Sequence, residues 1–438
     1  MSAKPFSRFG GVAAEWPIIR MREAIRERVN WIEIQDGMFY QRVTARVRNQ
    51  GIELRDRIVG SFVKTKRQKL CQANDLLVAE IDAKVGGFGL IPAAADGAIV
   101  SSHYFLFEVD RSRVDLNWFD HVIRDGRLQR QVDAVGSTNY AAIRPRDVGA
   151  FQIPLPPIPE QRAIASVLGA VEAAIARTKA LIDAVGKAKH AIMRELLTRG
   201  VRRDKVPLKA LPDRWVLGRV AENVTHIPRD WALVTLTAVA KLESGHTPSR
   251  EKAEYWGGDI PWISLADTNA LDALEVSETS EGVTPKGISN SSARILPKET
   301  VVFSRTATVG KATRMARPMA TSQDFANWIC GPKILPAYLV QVFRHMDREW
   351  QRLQEGSTHQ TIYMPVFKKL QVLLPSTVEQ EKISNIGEAF DRRLERERDT
   401  LATLIENRAA LAQELLSGRL RLPESIIARH CDTPAAAA

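Results

Sequence analysis

Cysteine is scarce in this chain. Cys71, Cys330 and Cys431 are the only three in 438 residues, and they lie far apart. That spacing argues against a disulfide framework or a paired-cysteine zinc site and fits a reducing compartment. Long apolar runs are missing too. No stretch of about 18 apolar residues occurs, so no membrane-spanning helix is expected. The opening MSAKPFSRFGG lacks the apolar run of a signal peptide. The expectation is a cytoplasmic protein with no membrane partner.

Catalytic signatures are equally absent. VGKAT (309–313) lacks the earlier glycine of a phosphate-binding Walker loop, and VGGFG (85–89) follows no dinucleotide fingerprint. The eight histidines show neither HExxH nor paired cysteine–histidine spacing. An Asn-Pro-Pro-aromatic tetrapeptide, the mark of adenine amino-methyltransferases, does not occur. No catalytic residue, cofactor or metal is expected in this chain.

What is abundant is positive charge and internal repetition. Sixty-two Lys and Arg against 51 Asp and Glu leave a net charge of +11, which points to an anionic partner. FQIPLPPIPEQRAIASVL… (from 151) aligns without a gap, 219 positions on, with LQVLLPSTVEQEKISNIG… (from 370). Gln152/Gln371, Pro156/Pro375, Glu160/Glu379, Gln161/Gln380, Ile164/Ile383, Arg177/Arg396, Leu196/Leu415 and Arg202/Arg421 are identical pairs. A long repeat fixes architecture before any local reading.

Each copy opens on a proline-bounded extended piece and continues as a long helix. Ile164, Leu168, Val171, Ile175, Ile182, Val185, Ile192 and Leu196 recur at alternating intervals of four and three, with Thr178 and Lys189 as polar interruptions. The second copy offers Ile383, Phe390, Leu394, Leu401, Leu404, Leu411 and Leu415, interrupted by Glu397 and Arg408. Such a seam belongs to helices that supercoil on a partner, here each other. An antiparallel pairing would set Lys189 across from Glu397.

The repetition extends further. TVVFSRTATVGKATRMA (300–316) follows LLVAEIDAKVGGFGLIP (76–92), with Gly310 over Gly86, and ATSQDFANWI (320–329) follows VSSHYFLFEV (100–109). The expected fold is α/β (α+β): two globular domains, 1–150 and 206–369, related by duplication with pseudo-two-fold symmetry. They alternate with long antiparallel coiled-coil helices at 151–205 and 370–422, and 423–438 forms a flexible tail. Two-fold geometry suits a two-part target whose spacing is set by the protein. Inserting one heptad in both helices should then change the spacer between half-sites and leave the half-sites unchanged. A variant that kept its spacer would contradict this reading.

Candidate DNA contacts follow from residue type. Lys64, Lys66, Arg67, Lys69 and Lys84 flank the first glycine-split strand pair, and Arg305, Lys311, Arg314 and Arg317 flank the second. After a shared Gly-Ser-Thr come Asn139 and Tyr140 in one half, and His359, Gln360 and Tyr363 in the other. Lysine and arginine hold phosphates or read guanine; amides, histidine and tyrosine reach base edges. Asp75, Asp82 and Lys84 loosely imitate the acid–lysine set of magnesium nucleases, but the second half lacks both acids.

With these features assembled, the chain resembles the specificity subunit of type I restriction–modification enzymes. PLPPIPEQRAIASVL (154–168), LPSTVEQEKISNI (374–386), GHTPSREKAEYWGGDIPWIS (245–264), LPKETVVFSRTATVGK (296–311) and ATSQDF (320–325) carry the resemblance. It implies a non-catalytic reader with two target-recognition domains, one per half of a bipartite double-stranded DNA site. The helices would bind two modification (methyltransferase) subunits, and restriction subunits would join that core. S-adenosylmethionine, ATP and Mg would belong to those partners. The first half lacks the Tyr-Trp-Gly-Gly…Ile-Pro-Trp signature; its equivalent stretch is expected near 31–56. Three other readings remain: the reader of a related two-subunit restriction enzyme with a fused nuclease–methyltransferase, a stand-alone nuclease, and a helical scaffold without a DNA role.

Overall fold

The computed structural model describes residues 15–132, 142–202, 205–211, 215, 217–355 and 360–431. Asn139, Tyr140 and His359 therefore lie outside the described residues. The chain divides into two compact units, Met1–Arg177 with Ala402–Ala438, and Thr178–Leu401, so each unit owns part of both long helices.

The first unit contains β1 (Ile18–Arg20), β2 (Ile25–Arg28), β3 (Trp31–Glu33), β4 (Phe39–Ala45), β5 (Ile52–Val59), β6 (Arg67–Leu70), β7 (Leu76–Ala79), β8 (Phe88–Leu90), β9 (Ile99–Val100), β10 (Tyr104–Val109) and β11 (Gln152–Pro154). Its helices are α1 (Leu116–Arg124), α2 (Pro145–Ala150) and the start of α3 (Ile158–Arg199). β2-β10-β7-β8 form an antiparallel sheet, β3-β6-β9-β4-β5 a mixed one, and β1 pairs with β11. The run Leu76–Ala79 is apolar throughout because both its faces are covered. Leu76 and Val78 join the cluster under α1, while Leu77 and Ala79 join the one under the second sheet.

The second unit contains β12 (Leu208–Ala210), β13 (His226–Pro228), β14 (Ala232–Thr235), β15 (Ala240–Ser244), β16 (Trp256–Ile263), β17 (Glu275–Val276), β18 (Glu281–Val283), β19 (Val301–Ser304), β20 (Ala312–Met315), β21 (Ala320–Thr321), β22 (Phe325–Cys330) and β23 (Gln371–Leu374). Helices α4 (Pro285–Ser289), α5 (Pro336–Arg344), α6 (Asp347–Leu353) and α7 (Met364–Phe367) precede α8 (Thr377–Ser417), and α9 (Glu424–Ile427) follows it in the first unit. The order β15-β22-β19-β20 repeats β2-β10-β7-β8, and β14–β23 repeats β1–β11. Gly86 and Gly310, aligned from the sequence, both adopt positive φ, +84° and +105°, at the turn after the central strand.

The region without a sequence match also finds its counterpart. β4 runs parallel to β9 as β16 runs parallel to β21, so the hairpin β4–β5 corresponds to β16–β18. The equivalent stretch is thus Phe39–Val59, shifted towards the C-terminus from the expected 31–56. Residues 423–438 are not simply a loose tail: α9 and a further helical turn carry the chain to His430.

The long helices have physical beginnings and ends. Pro159 sits in the first turn of α3, where its missing N–H costs nothing, and the Ser376 hydroxyl accepts from the Glu379 amide at the start of α8. Gly200 and Gly418, at φ +73° and +75°, terminate them in the left-handed conformation. The predicted seam residues are buried or half-buried, with one correction. Ile192 is exposed, and Met193 and Leu197 turn into the second unit's core instead. The seam steps round by one residue there because the helix end docks on a domain rather than on its partner helix.

Candidate nucleic-acid interface

Beneath any reading surface lies a scaffold of buried polar contacts, and the two units build it the same way. In the first, the Glu160 carboxylate accepts the Trp16 indole N–H at 3.1 Å and the Arg421 guanidinium at 2.6 and 3.0 Å. In the second, Glu379 accepts from the Trp231 indole and from Arg202, each at 3.1 Å. Gln161 donates to the Arg113 and Pro156 carbonyls and accepts from the Asp115 amide. Gln380 repeats this with Lys333, Pro375 and Leu335. The repeated Glu-Gln therefore ties helix, domain and the far end of the other helix together in each unit.

Further along the seam, Arg408 bonds Glu172 at 2.6 Å in the first unit, and Lys189 bonds Asp391 at 2.5 Å in the second. Partner numbers fall on one helix as they rise on the other, so the packing is antiparallel within each unit. The expected Lys189–Glu397 pair does not form; Glu397 pairs with Arg393 on its own helix at 2.7 Å. Asp391 lies closer to the Lys189 turn and is also held by Arg344 at 3.1 Å and Gln341 at 2.8 Å. Burial works against its charge, yet Lys189 and Arg344 keep the carboxyl below its ordinary range.

Beside this group the His345 ring stacks on His190 at 4.7 Å and donates through Nε2 to the His190 carbonyl. Burial lowers the His345 pKa to about 4, from an ordinary 6.5. The folded state thus prefers the neutral ring. Its contribution is complete above about pH 6.5 and disappears as pH falls towards 4. Asp391, likewise depressed, loses stability in the same direction, while buried Asp347, raised by desolvation, opposes it. His345→Gln should flatten the stability loss between those two pH values in an acid titration of the unfolding midpoint; an unchanged acid limb would contradict this.

The candidate DNA contacts separate by environment. Lys69 is buried, donates to the Tyr104 carbonyl at 2.6 Å and lies over Trp31 and Phe105; burial lowers its pKa. Lys66 bonds Asp36 and the Gly60 carbonyl. Arg305 donates to the Gln323 and Ile362 carbonyls. Lys311 pairs with Asp272, Arg314 with Glu299 and Glu388, and Arg317 with Glu278 and the Ser277 carbonyl. All six make contacts within their own unit, although Arg317 remains exposed. Lys64, Arg67, Lys84, Gln360 and Tyr363 are exposed. Arg67 lies over the Trp31 ring at 4.7 Å.

The nuclease set does not assemble. Asp75 is buried and bonded to Arg28 at 2.7 Å, with burial raising its pKa, whereas Asp82 and Lys84 lie on an exposed turn. Among the described residues no three His, Cys, Asp or Glu come together as metal ligands. No helix among them is long and apolar enough to cross a membrane.

The hairpins carry the divergence. In the second unit Trp256 and Trp262 meet edge to face at 4.9 Å, and Arg250 covers Trp256 at 3.7 Å while bonding Glu281 through both nitrogens. Gly257 takes φ +76° at the bulge, and a Cβ on Gly258 would meet the Val283 carbonyl at 2.5 Å. Gly258→Ala should cost about 1–3 kcal/mol by overpacking, read as a lower urea midpoint; an unchanged midpoint would refute that packing role. In the first unit the hairpin exposes Arg55, Arg57 and Phe39 instead, positions the sequence reading missed because no repeat partner marks them. The stretch 31–70 holds nine Lys/Arg and four Asp/Glu, whereas 245–290 holds three and eight.

A twice-built αβ domain on shared antiparallel helices, differing mainly in its outward hairpin, defines the class: an internally duplicated recognition protein. Residues 24–187 and 228–406 match the family model described as the type I restriction modification DNA specificity domain, and the chain belongs to that family. It is 30% identical over 184 residues to the MjaIX specificity subunit of Methanocaldococcus jannaschii, covering 42% of this chain and 43% of that one. It is 24% identical over 221 residues to the HindI specificity subunit of Haemophilus influenzae, covering 48% and 47%. These two matches span about half the length of those relatives. The MjaVIII specificity subunit of M. jannaschii matches at 22% over 379 residues, 84% of each chain. The S subunit of a type I system from M. genitalium shares the fold at a TM-score of 0.53 and 14% identity, covering 92% of this chain and 96% of that one. A chain from a structure concerned with assembly and conformational transition of the type I R-M system aligns at 0.55 and 18%, covering 93% and 99%.

Proposed function

We propose that this chain is the non-catalytic, sequence-reading subunit of a type I restriction–modification complex. Each domain reads one half of a bipartite double-stranded DNA site. The paired helices dock two modification subunits, and restriction subunits join that assembly. S-adenosylmethionine, ATP and Mg serve the partners.

The observation that best supports this reading is the contrast between scaffold and hairpin. The Glu-Gln network recurs with the same kinds of partner, while the hairpins built on it differ in sequence and in sign of charge. Two unlike half-sites read from one repeated frame call for that combination. Exposed Lys64 and Lys84 are the phosphate contacts expected in the first domain. Lys64→Ala and Lys84→Ala in the assembled complex should weaken binding about equally for all sequences and lower the salt slope by about 1 each. Lys69→Ala should instead reduce stability. Full affinity and an unchanged slope in both surface variants would refute this placement.

A further inference from the structure

The first domain carries an apolar tip that its fold does not require. Gly60 N–H donates to the Met38 carbonyl, and Ser61 N–H to the Asp36 carbonyl, so the turn before β4 and the turn after β5 are stitched together. Lys66 clamps both, through Asp36 at 2.5 Å and the Gly60 carbonyl at 2.8 Å. The crossing is tight: a Cβ on Gly60 would stand 2.0 Å from the Gln35 carbonyl oxygen. This rigid double turn holds Met38, Phe39 and Phe62 in solvent, at 54%, 58% and 75% exposure. Holding three large apolar side chains in water lowers no folding free energy.

The second domain shows what the same hairpin looks like when its apolar groups serve packing. There Trp262 is 2% exposed, Arg250 lies over the tryptophan pair, and α4 follows β18 with Ile288 packed on that cluster. In the first domain a helical turn, Gly60–Phe62, stands in that place and points its aromatic outward. The surroundings specify the occupant. Arg55, Arg57, Lys64 and Arg67 are all exposed nearby in the chain, and Arg57 lies 5.5 Å over the Phe39 ring. A rigid aromatic tip within a basic surface suits a polyanion with stacked apolar faces between its charges, which is duplex DNA.

We propose that Phe62 is a specificity residue that wedges into a base step of the first half-site, with Met38 and Phe39 supporting it. The wedge opens the stack and favours easily deformed steps, so the first domain reads deformability as well as base edges. The second domain, whose hairpin aromatics are covered, reads without one. This rests on the reading that the first domain binds a DNA half-site.

The test uses the complete complex with its modification subunits and duplexes of its methylated motif. 2-Aminopurine replaces single bases of the first half-site other than the methylated adenine. Wild-type complex should raise the fluorescence at one step. Phe62→Ala should abolish that rise and weaken binding about tenfold or more, at an unchanged melting temperature. A mismatch at that step, which supplies the opening in advance, should restore most of the lost affinity. Phe62→Ala binding intact duplex as tightly as wild type would overturn the wedge, as would an equal loss on intact and mismatched duplex. So would unchanged DNA binding with loss of a partner subunit, which would make the tip a protein contact. Failure of the wild-type complex to prefer the motif over unrelated duplex would instead remove the underlying DNA reading, and the wedge with it.

Discussion

Replacing Asp391 by alanine is expected to cost the second unit about 3–5 kcal/mol, because two cations lose their counter-charge inside the protein. Lys189 and Arg344 are each only 12% exposed at the side chain, as is Asp391 between them. Desolvation already lowers the Lys189 pKa, and Asp391 is what opposes it. The counterpart in the first unit behaves differently. Glu172 is 38% exposed and Arg408 23%, so water screens the pair and Glu172→Ala should cost less than about 1 kcal/mol. Urea unfolding followed by tryptophan fluorescence reads the difference, since Trp16, Trp31 and Trp118 belong to the first unit and Trp215, Trp231, Trp256, Trp262, Trp328 and Trp350 to the second. Equal losses for the two variants would show that burial does not set the strength of the seam contacts.

Phe303→Ala should be comparably severe, about 3–5 kcal/mol, for an apolar reason. Its ring is fully buried and meets Trp350 at 4.5 Å, Phe343 at 5.3 Å and Phe367 at 5.4 Å. Those neighbours come from α5, α6 and α7, so the ring joins the sheet to three helices. Large rigid rings cannot collapse into the space left behind, which raises the cost towards the upper end. Phe303→Leu, which fills most of the volume, should recover much of the loss. Similar midpoints for both variants would mean the cluster relaxes around a void.

Much of this architecture is legible in the sequence because repetition imposes the same chemistry twice. Glu160 and Glu379 each accept from a tryptophan indole and an arginine, Gln161 and Gln380 each bond backbone groups at matching places, and the matched glycines take matched positive φ. The seam is legible because its period is a property of the helix alone. Ile192 departs from it because a domain, absent from any heptad pattern, offers Met193 and Leu197 a deeper site. The Lys189 partner was misassigned by less than two turns of α8, since charge patterning sets which signs meet but not the offset between helices.

The interface was less legible. Basic residue type does not distinguish Lys64, which is exposed, from Lys69, which is buried over Trp31 and bonds a carbonyl. Burial along Arg67–Leu70 does not alternate: Gln68 and Lys69 are both buried beside an exposed Arg67, a pattern set by tertiary packing and not by strand periodicity. Arg305 resembles a phosphate contact on composition, yet it satisfies two loop carbonyls. The hairpin β4–β5 had no repeat partner in sequence, and only the parallel pairing with β9 reveals what it matches.

The central claim is that this chain selects the DNA sites its partners modify. Single-molecule methylome sequencing tests it most directly, in a host carrying the chain with its neighbouring genes and in the same host with this chain alone deleted. Methyladenine at one two-part motif should vanish on deletion, and the motif would reveal both half-sites and their spacer. Methylation that persisted unchanged at every such motif, with the modification subunits still produced, would contradict it.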